Sequence, residues 1–107
     1  MATDRRVKYT KMVLRDSFIH FLSQKPISRI TIKEICAYAD INRATYYAHY
    51  RDQFDQLKQI EEAFLNDINA YLDTFTPDTG DAGLLSMVEK IFEYIQQNAQ
   101  LCLVLLG

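Results

Sequence analysis

The sequence predicts an all-α fold, and three observations carry that expectation. Apolar residues recur at helical spacing along most of the chain. Thr31, Asn42 and Asp52 each stand where a helix should begin. Only 3 Gly and 2 Pro interrupt 107 residues, and no segment alternates as a half-buried strand would.

From Asp4 to Lys25, the residues Leu14, Phe18, Phe21 and Leu22 fall on one helical face, with Val7 and Met12 leading in. Pro26 ends that run, because it has no amide to continue it. Thr31-Ile-Lys-Glu34 reads as a capping box opening a short helix over 32–39, with Ile32, Ile35, Cys36 and Ala39 inward. Asp40 and Ile41 make a tight turn, with a left-handed residue expected near 40 and Ile41 filling the core behind it. Asn42 then caps a second short helix over 43–50.

Asp52 and Asp55 cap a long helix whose inward face is expected to run Phe54, Leu57, Ile60, Phe64, Ile68, Tyr71, Leu72 and Phe75. At 1.5 Å per residue it would be a rod of about 33 Å. Residues 76–83 read as a linker, and a last helix is expected from near Leu84, with Leu85, Val88, Ile91, Phe92 and Ile95 inward. The chain therefore divides into a head, 1–52, and a connecting helix with further helical structure, 53–107.

Charge is distributed unevenly. Up to Arg51 there are ten basic and four acidic residues; after it there are two basic and ten acidic. Such a split suggests one half that meets a polyanion and one that does not. No apolar run approaches a bilayer span, so no membrane partner is expected. Cys36 and Cys102 are isolated, without zinc spacing, and point to reduced thiols in a cytoplasmic protein.

The stretch Ile41–Asp52, INRATYYAHYRD, puts three tyrosines among hydrogen-bonding side chains. Two short helices so close in sequence predict a helix-turn-helix. Tyr46 and Tyr50, one turn apart, then face the core, while Arg43, Ala44 and Tyr47 face out with Thr45 and His49 on the flank. A helix presented in this way fits the major groove of B-DNA, about 12 Å wide. Arg43 can pair with guanine, and Thr45, Tyr47 and His49 can donate to phosphates.

TIKEICAYADINRATYYAHYRDQFDQL, residues 31–57, resembles the DNA-binding signature of the tetracycline-repressor (TetR/AcrR) family of bacterial regulators, over about residues 8–60. The Thr-x-Tyr-x-His-Tyr run from Thr45 is its most specific part. The resemblance implies an all-α homodimer in which three N-terminal helices bind half of a palindromic operator. A C-terminal helical domain would hold an effector pocket and the dimer interface. It implies double-stranded DNA and an unidentified small-molecule effector as partners.

By position, the resemblance makes Thr31 a cap that also touches phosphate and Lys33 a base or phosphate contact. Arg43, Ala44 and Tyr47 become groove readers, and Thr45 and His49 phosphate contacts. Asn42 joins them at the helix start. Asp40 stands in place of the usual turn glycine, Tyr46 in place of a leucine, and Gln53 in place of a lysine whose phosphate contact Arg51 could supply. The chain stops at the apolar run 101–106 and Gly107, so the resemblance implies an incomplete effector domain.

Nothing in the sequence assembles an enzyme. His20 and His49 share no ligand spacing, Glu61-Glu62 diverge on a helix, and Asp78 and Asp81 lie in the linker. No metal or cofactor is expected. Two other readings share the composition: a helix-turn-helix factor without an effector, and an all-α protein-interaction module.

Overall fold

The structure is a computed structural model describing residues 2–73 and 80–106, which fold as helices joined by short turns, with no strand among them. They form two units, 1–60 and 61–107.

The first unit opens with α1, Ala2–Leu22. Its end is local chemistry: Ser23 Oγ donates to His20 O at 2.6 Å, and the amides of Gln24 and Lys25 both turn back to Phe21 O. Pro26 leads into one 3-10 turn, Ile27–Arg29, and Ile30 drops into the core. α2, Ile32–Ala39, and α3, Arg43–His49, follow, with three residues between them. α4, Gln53–Asp73, begins in this unit and supplies its fourth side with residues 53–60.

Leu14, Phe18 and Ile19 of α1, Ile30, Ile35 and Cys36, Tyr46 and Tyr50, and Ile60 are all buried. Fully burying one such side chain stabilises by about 1.5–3 kcal/mol. Helices of eight and seven residues, α2 and α3, are too short to persist alone, so this core and their caps hold them.

Polar side chains share the core. Ser17 Oγ donates to Ile35 O at 2.8 Å, tying α1 to α2. Tyr46 Oη donates to Gln56 Oε1 at 3.0 Å, and Gln56 Nε2 donates to Leu14 O at 3.1 Å. Thr10 is buried as well. Burial therefore pushes the Tyr46 phenol well above the usual tyrosine range, with nearby Cys36 a lesser cause.

In the second unit, α4 continues to Asp73, and α5 (Gly80–Gln97) and α6 (Ala99–Leu106) follow. Tyr94 of α5 lies beside Phe64 and Tyr71 of α4, at 5.9 and 5.6 Å between ring centroids. Its hydroxyl donates to Asp67 Oδ2 at 2.8 Å. Asn98 sits between α5 and α6, its side-chain amide donating to Tyr94 O and its carbonyl accepting from Cys102 N. Leu101 and Cys102 are buried.

Several expectations about helix faces need correction. Phe54 and Leu72 of α4 are exposed, at 54% and 45%, and Met12 of α1 is exposed as well. Ile41 is half-buried, a partial plug. α5 starts at Gly80, four residues before Leu84: Gly80 takes φ +61°, which glycine adopts without strain, and Asp81 puts a carboxylate where the helix dipole favours it. On α5 the inward face is Met87, Ile91 and Tyr94, whereas Leu85, Val88, Phe92 and Ile95 are exposed. Of the linker expected over 76–83, residues 80–83 are instead the first turn of α5, while residues 76–79 and the expected inward Phe75 lie outside the described residues.

The buried Tyr46–Gln56 pair makes a sharp energetic prediction. Tyr46→Phe leaves Gln56 Oε1 without its donor, and Gln56→Leu leaves the Tyr46 hydroxyl without its acceptor; each should cost about 1–3 kcal/mol. The double variant removes both polar groups together, so its urea-measured loss should fall well short of the sum of the singles.

Candidate functional site

The residues singled out by the sequence gather around α2, α3 and the start of α4. Thr31 Oγ1 accepts from Glu34 N at 3.2 Å, while Glu34 Oε2 accepts from Thr31 N at 2.8 Å and from the Thr31 hydroxyl at 3.0 Å. The capping box is complete. Glu34 Oε1 also holds the Lys25 ammonium. Lys25 first, then the Thr31 amide, keep the Glu34 carboxyl below its usual range.

α2 ends on Asp40, at φ 56° and ψ 46°, the left-handed cap. Glycine is the residue that takes this conformation without cost; an aspartate pays a steric penalty that its short polar side chain lessens. Ile41 N then donates to Cys36 O at 2.9 Å and folds the chain back. Burial raises the Cys36 thiol, and the Arg43 cation partly opposes the rise.

Asn42 Oδ1 accepts from Ala44 N at 2.8 Å and caps α3. With Tyr46 and Tyr50 buried, the helix turns Arg43, Ala44 and Tyr47 outward, and Tyr47 is 54% exposed. Thr45 and His49, one turn apart, are half-buried on the adjacent flank. Thr31, Lys33 and Arg51 are exposed. Arg43, Ala44 and Tyr47 thus share one surface, whereas the Thr31 and Asn42 oxygens are already engaged as caps.

The start of α4 holds the far end of α3. Asp55 N donates to Asp52 Oδ1 at 2.9 Å, and Asp55 Oδ2 accepts from Arg51 N at 3.0 Å. Gln59 Nε2 donates to His49 O and to Asp55 Oδ2, both at 3.2 Å. Gln53 Nε2 donates to Ile30 O at 2.9 Å, so its side chain is turned inward onto the segment before α2. From the sequence Gln53 stands out only as the replacement for a lysine, and Gln56 and Gln59 do not stand out at all; the available signal is the spacing of the three, 53, 56 and 59, along a helix start.

Among the described residues no three His, Cys, Asp or Glu side chains are grouped to hold a metal, and no helix is long and apolar enough to cross a membrane. His20 stacks on Tyr38 at 4.3 Å between rings, and its imidazole meets Gln24. No protein-family model, curated protein or solved structure matches the chain.

The Glu34 cluster fixes an acid sensitivity. Its folded carboxyl titrates below its unfolded one, so its contribution is complete above the unfolded value and is lost as pH falls through the folded one. Glu34→Gln keeps an acceptor for the cap and removes the titration. Denaturant midpoints measured from pH 7 into acid should fall more steeply for the native chain than for this variant.

Proposed function

We propose that the chain is a DNA-binding regulator in which α2 and α3 form a helix-turn-helix, with α3 the recognition helix. The observation that supports this reading is the rotational setting of α3. Two buried tyrosines anchor one face, and the opposite face offers Arg43, Ala44 and Tyr47 around a capped N-terminus. The basic excess up to Arg51 supplies the attraction that a phosphate backbone requires.

In this reading the Arg43 guanidinium pairs with the O6 and N7 of a guanine, and Ala44 and Tyr47 pass along neighbouring base edges. Thr45 and His49, on the flank, meet sugar-phosphate. Lys33 and Arg51 approach phosphates from either side of α3. A phosphate at Thr31 has to displace Glu34 from the hydroxyl, which makes Lys33 and Arg51 the stronger phosphate contacts. Gln53, held by Ile30 O, leaves a lysine-like contact at the head of α4 to Arg51.

One such head reads too few base pairs for high specificity, so the reading carries a homodimer on a palindrome with half-sites about one helical turn apart. In this reading residues 61–107 belong to a regulatory domain of the tetracycline-repressor type, whose small-molecule effector would change the separation of the two recognition helices. The protein acts as a repressor when that separation fits its operator.

The test is a set of alanine variants on duplexes selected from a randomised pool. Arg43→Ala should lose about 1–3 kcal/mol on the selected duplex and much less on one changed at the contacted base pair. Thr45→Ala and His49→Ala should weaken all duplexes nearly alike. Binding of the native chain should fall with salt, at a log–log slope of about −0.9 per phosphate neutralised. A flat salt dependence overturns the DNA-binding reading and favours a protein-interaction module.

A further inference from the structure

We infer that Gln53, Gln56 and Gln59 are positioning residues that set the tilt of α3 without touching its target. The inference rests on the DNA-binding reading for the identity of that target, and on geometry alone for the rest. Each glutamine donates its side-chain amide to a main-chain carbonyl, and each carbonyl belongs to a different segment of the head. Gln53 holds Ile30 O, immediately before the α2 cap. Gln56 holds Leu14 O in the middle of α1, while its own oxygen receives the Tyr46 hydroxyl. Gln59 holds His49 O, the last residue of α3.

A main-chain carbonyl cannot swing as a side chain can, so each bond fixes a point of backbone relative to α4. Between them, two of the glutamines grip α3 at its middle and its end, and the other two bonds fix what α3 packs against. Asn42 secures the remaining end. The Gln59 amide also touches the Asp55 carboxylate that accepts Arg51 N, so α3 and the residues after it are held as one piece.

α3 is only seven residues long, and its own backbone bonds set no orientation on the head. A two-pronged contact to a base edge tolerates displacement of only about 0.5 Å. The three side chains are uncharged, so they add nothing to attraction for phosphates. Their loss should therefore spare charge-driven binding to any duplex and remove part of the sequence-selective binding.

Gln59→Met tests this: methionine matches glutamine in length and lacks both charge and donor, and position 59 is half-buried, so the fold is retained. On the duplex that the native chain selects from a randomised pool, the variant should lose about threefold to tenfold in affinity, the range of one net hydrogen bond. On a scrambled duplex at low salt its binding should stay within about twofold of native. Without DNA, amide exchange at Tyr50 and Arg51 should quicken. Gln53→Met should reproduce the selective loss with faster exchange around Thr31.

Equal losses on both duplexes, or no loss on either, overturn the positioning role. If the native chain itself shows no salt-dependent binding, the DNA reading falls separately. Exchange then decides: quicker exchange at Tyr50 and Arg51 in Gln59→Met upholds the clamp on α3, and unchanged exchange overturns it.

Discussion

Tyr46 carries a hydroxyl into a core that water does not reach, and Gln56 is the group that receives it. Because a buried phenol and a buried amide are costly unless each finds a partner, the two must meet, and they meet in only one arrangement of α3 on α4. Gln56 uses its remaining donor on Leu14 O, which brings α1 into the same constraint. Apolar contacts would allow α3 to rotate by some degrees with little loss. A directed bond does not, and the outward bearing of Arg43, Ala44 and Tyr47 follows from it.

The caps solve a different problem. α2 and α3 are so short that unsatisfied amides at their starts would be a large fraction of their backbone. Thr31 with Glu34, and Asn42 with Ala44, fix where each begins, and Asp40 in its left-handed setting fixes where α2 stops. The head therefore combines local bonds that define helix ends with long-range bonds that define helix orientation. The first kind spans two to four residues, and the second spans ten to forty-two.

That difference explains what could be read in advance. The α2 boundaries, the start of α3, the turn at Asp40 and the inward tyrosines were legible because caps and one-turn spacing are local signals. The Gln56 partner of Tyr46 was not, since nothing near Tyr46 in sequence announces it. Where Tyr46 stands in place of a leucine, the accommodation is chemical, a hydrogen-bond acceptor brought from α4. On α5, apolar residues occupy two adjoining faces, and periodicity alone cannot say which turns inward. Tyr94 decides it, because its ring lies beside Phe64 and Tyr71 and its hydroxyl reaches Asp67. Leu85, Val88, Phe92 and Ile95 are left outside as a consequence. Phe54 misled for a similar reason: the inward position near the head of α4 belongs to a polar residue, Gln56.

The paired burial of Tyr46 and Tyr50 also has an optical side. The chain has seven tyrosines, six phenylalanines and no tryptophan, so tyrosine dominates the long-wavelength part of its near-ultraviolet spectrum. A ring locked in one asymmetric setting gives a strong dichroic signal, and Tyr46 is locked by a hydroxyl bond at one end and by the Tyr50 ring 5.3 Å away. Burial holds both phenols above their ordinary range, with Asp55 adding to the effect at Tyr50. Folded values above unfolded ones mean that this share of stability is whole below about pH 10 and wanes as pH rises beyond it. Alkali therefore loosens α3 and exposes the same two chromophores to ionisation, so the seating of that helix carries its own dye.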